Sequence, residues 1–146
     1  MLKKDYPRLE RRKYLRLDTV FPVQFRFVSP EAGGFLSDWL QGFTNNIGKG
    51  GICLEANNLK PELAKTLKDQ KVKLSLAIEM PITKNAISAQ AKVAWLKDVS
   101  GGANKYLVGL IYEEIDPQQN NKIMRYAWTK KLFVPVALII IIILGL

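Results

Sequence analysis

The sequence predicts a mainly β fold, an antiparallel barrel or sandwich that is followed by one C-terminal helix. Five or six short segments alternate apolar and polar residues, which is the period of a half-buried strand. Turn-forming residues separate these segments, with almost no helix between them. After residue 115 the apolar residues take up a helical period instead. With 146 residues, 48% of them hydrophobic, the chain is long enough for one packed domain plus appendages.

The first predicted strand covers residues 21–27, and its apolar face consists of Phe21, Val23, Phe25 and Phe27. Residues 29–46 are rich in turn formers and predict a long, partly ordered connection. A second strand follows Gly50 and Gly51, with Ile52, Leu54 and Ala56 on one face.

Residues 57–70 predict a short helix with Pro61 in its first turn and leucines at helical spacing. Two alternating segments follow, each with one face towards the core. Their core residues are Val72, Leu74, Leu76, Ile78 and Met80, then Ile87, Ala89, Ala91, Val93 and Trp95. Residues 106–115 supply one more strand, in which Gly109 marks a bulge, a bend or contact with another group.

The C-terminal helix has a clear start signal. Asp116 is the predicted N-cap, Pro117 takes the first helical position and Gln119 can complete a capping box. An apolar stripe follows, formed by Ile123, Met124, Ala127 and Trp128. We expect this stripe to pack on the barrel mouth, and a homodimer contact is the alternative.

Charge is concentrated at the N-terminal end of the chain. The formal net charge is +9, and residues 1–16 contain seven Lys and Arg against two acidic residues. Such asymmetry points to an anionic partner, either a nucleotide, a nucleic acid or acidic lipid. Sequence-specific nucleic-acid binding is disfavoured because the predicted strands lack aromatic platforms spaced for base stacking.

Several function classes are excluded or disfavoured by residue content. The chain has no His, so imidazole catalysis and His-ligated metals are excluded. The single Cys53 lies in an apolar stretch and is expected to be structural, which suits a reducing compartment. The acidic cluster Glu113, Glu114 and Asp116 is explained by solvation and capping, so we expect no catalytic residue, no metal and no enzyme.

Residues 132–146 are all apolar, Pro or Gly and follow Lys130 and Lys131 directly. As a helix they would reach ~22 Å, short of the ~30 Å hydrocarbon core of a bilayer. A tail anchor, a membrane-buried half-span and a longer transmembrane helix that is cut here are three explanations, of which the cut helix is favoured. A buried strand of a soluble core is the alternative to all three. The two lysines and the lack of a signal peptide place the folded part in the cytoplasm, at the inner membrane.

Two motifs flank the first predicted strand. Arg12 and Arg16 form R-x-x-x-R, preceded by Arg11, and "NIGKGG" places Asn46, Gly48 and Gly51 at offsets of zero, two and five. In this order, before a predicted barrel, they resemble the PilZ domain family, in which R-x-x-x-R and [D/N]-x-S-x-x-G bind the bacterial second messenger cyclic di-GMP. The resemblance covers roughly residues 10–131.

The resemblance implies a fold and a domain division. The fold is a six-stranded antiparallel PilZ-type β-barrel with a C-terminal α-helix, here leading into a hydrophobic membrane segment. The division is a basic arm at 1–9, the barrel at 10–116, the helix at 117–131 and the membrane segment at 132–146.

The resemblance also implies a ligand site for cyclic di-GMP, with no separate cofactor. Guanidinium groups grip phosphates and guanine edges, an Asn amide suits base edges, and glycines let backbone approach closely. The implied ligand residues are Arg11, Arg12, Arg16, Asn46, Gly48, Gly50 and Gly51. Gly48 stands where the family has Ser, and the lost hydroxyl could weaken binding up to about tenfold.

The expected function is a membrane-tethered receptor that relays the messenger level to a protein partner through rearrangement of the N-terminal arginine arm. The alternative is a PilZ-like interaction module that does not bind nucleotide and contacts anionic membrane or protein partners. Trp39 and Trp95 could stack on guanine, but core packing or surface adhesion is the favoured interpretation of each.

Overall fold

The computed structural model describes residues 16–29, 31, 33–69, 72–81, 83–99 and 104–129. They form strands β1 (Arg16–Leu17), β2 (Pro22–Val28), β3 (Leu40–Gly48), β4 (Gly51–Ala56), β5 (Lys73–Ile78), β6 (Ile87–Asp98) and β7 (Tyr106–Ile115). Helix α1 spans Pro61–Lys68 and helix α2 spans residues 117–129. The predicted basic arm and the predicted membrane segment lie outside the described residues.

Six strands close into an antiparallel barrel. Their order is β3, β2, β5, β6, β7, β4, and β4 pairs back onto β3. The short β1 adds two more antiparallel pairs to the end of β3. The predicted six-stranded antiparallel barrel with a C-terminal helix is thus confirmed. No helix formed by the described residues has the length and apolarity needed to span a bilayer.

The barrel interior is filled by the alternating residues that the sequence predicts. Phe21, Val23, Phe25 and Phe27 are at most 2% exposed. The predicted apolar faces of β4 and β5 are also buried, which makes one continuous core with the inward side of β6.

Trp95 departs from the predicted alternation. The register of β6 against β7 shifts between Gln90 and Ala91 and again between Val93 and Trp95. The first irregularity adds a residue to β7, whereas the second adds Ala94 to β6 and so changes the face on which Trp95 lies. Trp95 is therefore 43% exposed instead of lying in the core. The prediction of an inward Trp95 was wrong.

The predicted connection at 29–46 is shorter than expected, because β3 begins at Leu40. The central inward positions of this strand are Gly42 and Thr44, and the buried Ile47 follows the register irregularity between Thr44 and Asn46, so no regular apolar alternation marks the strand in the sequence. The Thr44 hydroxyl is satisfied internally: it donates to the carbonyl of Thr19 and accepts the amide of Phe21. A strand with a polar inward residue escapes a prediction based on hydrophobic period.

Helix α2 packs on the barrel as predicted. Asp116 Oδ2 accepts the amide of Gln119 at 3.4 Å, which is half of the predicted capping box. Ile123 and Ala127 are fully buried, whereas Trp128 at the end of the stripe is 46% exposed. The predicted stripe thus covers the barrel with all but its last residue, and a homodimer contact stays a prediction.

Candidate functional site

Strand β1 brings the second arginine of R-x-x-x-R onto the glycine motif. Arg16 lies opposite Gly48 and Leu17 opposite Ile47 in the antiparallel register. The Arg16 guanidinium donates from Nη1 to Asn46 Oδ1 at 3.2 Å. Two residues that are 30 apart in sequence therefore share one hydrogen bond, as the resemblance implies for a common site. Arg11 and Arg12 lie outside the described residues.

The hydrogen bond also orients the Asn46 amide. Its carbonyl oxygen accepts from Arg16, so its NH₂ group is the part left to donate to another molecule. Asn46 follows a register irregularity between Thr44 and Asn46 in the β3–β4 pair. Such an irregularity turns a side chain away from the regular alternation of a strand. We infer that it helps to aim Asn46 at Arg16.

The glycine motif forms the hairpin between β3 and β4. Gly48 pairs with Gly51 across the turn at residues 49–50. A Cβ atom on Gly51 would lie 1.9 Å from the backbone oxygen of Leu110. The Gly50 carbonyl accepts the amide of Tyr112 at 2.9 Å. Position 51 therefore requires glycine for structural reasons, whether or not a ligand approaches it.

Helix α2 reaches the same hairpin from another side. Asn120 is 6% exposed and donates from Nδ2 to the carbonyl oxygen of Lys49 at 2.8 Å. The turn of the glycine motif is thus fixed by β7 and by α2 together. A displacement of this turn would therefore act on α2 through the hydrogen bond between Lys49 and Asn120.

A row of outward-facing positions extends from Asn46 across the barrel wall. Asn46 pairs with Cys53, Cys53 with Gly109, and Gly109 with Trp95. Cys53 faces outward because its neighbours Ile52 and Leu54 face the core. The row therefore begins with an arginine-bound amide and ends with a half-exposed indole.

The Trp95 indole lies directly over Gly109. A Cβ atom on Gly109 would be 2.1 Å from the indole Nε1, so only glycine leaves room for the ring. Of the three alternatives for Gly109, a bulge, a bend or contact with another group, the contact is present, and the group is Trp95; a register irregularity also lies beside it. Sequence alternation could not have found this residue, since it placed Trp95 inside.

Arg16 is the positive charge of the site. Among the described residues, no carboxylate forms an ion pair with it. Burial raises the pKa of the Cys53 thiol, and the positive charge of Arg16 opposes this rise. Burial also raises the pKa of the Tyr112 hydroxyl, whereas the positive charge of Arg16 lowers it. Cys53 and Tyr112 are therefore neutral at neutral pH and do not offset the charge of Arg16.

Tyr112 contributes a second unusual feature. Its hydroxyl is buried and has no hydrogen-bond partner among the described residues. Nothing in the sequence marked Tyr112 or Cys53 as neighbours of the arginine. They come close to it only because β4 and β7 pair beside the hairpin.

A separate cavity of about 420 Å³ lies between α1 and the β2–β3 connection. It is lined by Phe25, Leu36, Ser37, Asp38, Leu40, Gln41, Asn57, Asn58, Leu59, Lys60, Glu62 and Leu63. It contains neither Arg16 nor Asn46, so it is distinct from the motif site. Among the described residues, no group of three His, Cys, Asp or Glu side chains is placed to hold a metal ion.

Comparison with known proteins identifies the fold. The family model of the PilZ domain matches residues 10–127. The chain is similar to the Bacillus subtilis inhibitor of motility MotI/DgrA, with a TM-score of 0.59 and 24% identity over 84% of this chain and 52% of that one. It is similar to the PilZ domain of Escherichia coli YcgR with c-di-GMP, with a TM-score of 0.52 and 13% identity over 85% of this chain and 94% of that domain.

The K. pneumonia MrkH–c-di-GMP complex is a third similar structure, with a TM-score of 0.57 and 13% identity. The match covers 87% of this chain and 55% of MrkH. The chain thus spans about half of MotI and MrkH but nearly all of the YcgR domain. At these identities the structural likeness establishes the fold alone. No curated protein matches the chain in sequence.

Proposed function

Because the chain belongs to the PilZ domain family, we propose that it is a receptor for cyclic di-GMP rather than an enzyme. The single observation that carries this proposal is the 3.2 Å hydrogen bond from Arg16 to Asn46. It joins the two halves of the family's ligand motif at one end of the barrel. Similar folds in YcgR and MrkH are described with c-di-GMP, which supports the same ligand class here.

The chemistry of the site suits this ligand. Cyclic di-GMP carries two phosphodiesters and guanine edges that accept hydrogen bonds. An arginine fork can pair bidentately with a phosphate or with guanine O6 and N7. Arg16 has no competing carboxylate among the described residues, so its charge is available. Arg11 and Arg12 are assigned the same task by their place in the motif.

Trp95 is proposed as a base-stacking platform at the far end of the row. Three strand spacings separate it from Asn46, a span of about 14 Å. A half-exposed indole offers a flat apolar face, and stacking on a base contributes about 1–3 kcal/mol. This assignment replaces the earlier interpretation of Trp95 as a core residue. It extends the ligand site from the hairpin across β4 and β7.

Two consequences of binding follow from the position of the site. Arg12 and Arg11 lie four and five residues before the start of β1, so their engagement would reorganise the N-terminal arm relative to the barrel. The hairpin carbonyl of Lys49 is bound by Asn120 of α2. Helix α2 is therefore a second route by which ligand binding reaches residues 130–146.

The location of the protein belongs to the same proposal. The apolar residues 132–146 would attach the chain to the inner membrane, with the barrel on the cytoplasmic side. A downstream protein partner would read the arm or the helix. Gly48, which stands in place of the family serine, predicts a somewhat weaker ligand affinity than the full motif provides.

A second candidate function is an interaction module that does not need nucleotide. The observation in its favour is a surface cluster in which the Arg26 guanidinium lies 3.2 Å from the Phe35 ring centroid and 4.4 Å from that of Trp39. Both rings are exposed, by 57% and 43%. Arginine and aromatic residues of this kind are enriched in protein interfaces.

Isothermal titration calorimetry separates the two functions. The full chain in detergent micelles is titrated with cyclic di-GMP, and with GMP as the control nucleotide. The receptor predicts saturable heat for cyclic di-GMP at micromolar concentration and a much weaker response to GMP, since one phosphate and one base are missing. No heat at millimolar cyclic di-GMP would favour the interaction module.

A further inference from the structure

One face of α2 carries positive charge without any acidic residue. Residues 117–129 contain Lys122 and Arg125 but no Asp or Glu. Their spacing of three places both on one side of the helix. Both are exposed, and neither forms an ion pair with a carboxylate of the described residues. The two cations are therefore free to meet an external anion.

These cations border a groove of about 390 Å³, which is also lined by Thr83, Tyr126 and Thr129. The Thr129 hydroxyl donates to the carbonyl of Arg125 at 2.8 Å, and the Thr83 hydroxyl donates to the carbonyl of Met80 at 3.3 Å. The hydrogens of the two threonine hydroxyls are thus engaged. Lys122, Arg125 and the Tyr126 hydroxyl are the side-chain groups of the lining left to donate hydrogen bonds to an anion, and the first two are cations.

The groove is built on a fixed part of the helix. On the opposite face of α2, Ile123 and Ala127 are fully buried against the barrel. The Tyr126 ring packs on Phe21 with a centroid distance of 5.6 Å. This packing fixes the helix, and with it the backbone positions of the two cations, relative to the barrel wall.

The groove is also close in sequence to the apolar segment. Arg125 precedes Leu132 by seven residues, a chain length that spans at most about 25 Å. Lys130 and Lys131 lie between them, and no acidic residue occurs from 117 to 146. If residues 132–146 enter a bilayer, the groove lies within reach of its headgroups.

We propose that this groove binds the phosphate headgroup of an acidic membrane lipid and so docks the barrel on the bilayer surface. A guanidinium fork grips phosphate bidentately, while an ammonium adds a compact charge. The half-buried Tyr126 ring and the lysine and arginine stems offer apolar surface to the glycerol region. The inference rests on the proposed membrane attachment, but it is independent of nucleotide binding.

Hydrogen–deuterium exchange of the full chain in nanodiscs tests this inference. One set of discs contains phosphatidylcholine alone, and the other includes about 30% phosphatidylglycerol to provide negative surface charge. Lipid that binds the folded helix but not its open form reduces the frequency of helix opening. Amide exchange of residues 121–129 should therefore be slower in the phosphatidylglycerol discs, by roughly fivefold for each cation that binds lipid. The double variant Lys122→Gln/Arg125→Gln should lose this protection.

The matched control is Lys65→Gln/Lys68→Gln, which removes the same charge from exposed positions on α1. It should keep the protection of α2. The proposal would be contradicted if the groove variant kept the protection seen in the unaltered chain. It would also be contradicted if the control variant lost as much protection as the groove variant. Protection of the same peptide by ~10 mM inorganic phosphate in phosphatidylcholine discs would assign the groove to free phosphate and overturn the lipid assignment.

Membrane attachment is scored separately in the same samples. Co-purification with phosphatidylcholine discs reports insertion of the apolar segment, whereas the difference between the two disc types reports the groove. A chain that joins neither type of disc would refute both ideas. A chain that joins both types with identical exchange would refute the groove alone.

Discussion

Arg16 and Asn46 are joined by a hydrogen bond of 3.2 Å, although 30 residues separate them in the chain. The bond forms because β1 pairs with the end of β3, which places Arg16 opposite Gly48. A two-residue strand thus assembles a site from two distant motifs. A guanidinium beside a glycine hairpin, with no ion pair to a carboxylate in the described part of the chain, is well suited to a phosphate-bearing, guanine-containing ligand.

Gly48→Ser should strengthen the binding of cyclic di-GMP. The substitution restores the hydroxyl that the family motif has at this position, and one hydrogen bond contributes about 0.5–1.5 kcal/mol. We expect up to about a tenfold lower Kd in calorimetry. Because Gly48 is buried in the β1–β3 pair, the melting temperature of the variant is measured in parallel. A folded Gly48→Ser protein with weaker binding would show that the hydroxyl has no place in this site.

Trp95→Ala should weaken binding because it removes the proposed stacking surface. A stacked base contributes about 1–3 kcal/mol, so Kd should rise roughly 5- to 150-fold. Trp39→Ala is the matched control, since Trp39 is also 43% exposed but lies in the β2–β3 connection. Cyclic di-GMP should also quench the fluorescence of Trp95. Equal losses in the two variants would argue against a specific role for Trp95.

The sequence predicted the barrel because most strands alternate apolar and polar residues, and residues such as Val23, Leu54 and Leu76 are buried as expected. It predicted α2 from the Asp116 cap and the apolar stripe. The full extent of β3 could not be predicted in this way, because its central inward residues Gly42 and Thr44 carry no hydrophobic signal and the buried Ile47 is out of phase with them. The strand is held instead by pairing and by the bonds of the Thr44 hydroxyl.

The candidate site, like the fold, was predicted from the sequence only in part. The local spacing of the motifs pointed to Arg16, Asn46 and the glycines, and β-sheet pairing then brought them together. Trp95 was misplaced because the extra residue in β6 between Val93 and Trp95 cannot be recognised from a simple period of two. The proximity of Tyr112 depends on strand pairing far along the chain, which no short pattern encodes.

Gly51→Ala should destabilise the fold. A Cβ at this position would meet the Leu110 carbonyl oxygen at 1.9 Å, and backbone must move to admit it. Overpacking of this kind costs about 1–3 kcal/mol of the free energy of unfolding. Gly34→Ala is the control, because a Cβ there has nothing within 4 Å. Chemical denaturation followed by tryptophan fluorescence gives both values, and equal stability of the two variants would contradict the contact.

Tyr112 makes stability sensitive to alkaline pH. Burial raises its pKa above the ordinary value of 10.0, so the unfolded chain loses this proton first. Below pH 10 the hydroxyl is neutral in both the folded and the unfolded chain, and the free energy of unfolding falls as the pH rises from about 10 towards the folded-state pKa. Tyr112→Phe should abolish this part of the alkaline decline in the free energy of unfolding.

The same variant has a second expected effect at neutral pH. The Tyr112 hydroxyl is buried without a hydrogen-bond partner among the described residues, so its removal should be neutral or stabilising by up to about 1–3 kcal/mol. Denaturant titrations from pH 7 to 11 measure both effects. A Tyr112→Phe protein that is destabilised at pH 7 would reveal a partner for the hydroxyl.

Calorimetric titration of Arg16→Ala with cyclic di-GMP tests the central claim most directly. Asn46→Ala and the double variant complete a cycle that isolates the coupling of the two side chains. Lys68→Ala serves as a control for the loss of one positive charge, because Lys68 is an exposed residue of α1. A hydrogen bond to a charged group contributes about 1.5–3 kcal/mol, so Arg16→Ala should raise Kd roughly 10- to 150-fold while Lys68→Ala changes little. An Arg16→Ala protein that is folded and binds with unchanged affinity would contradict the assignment of this site.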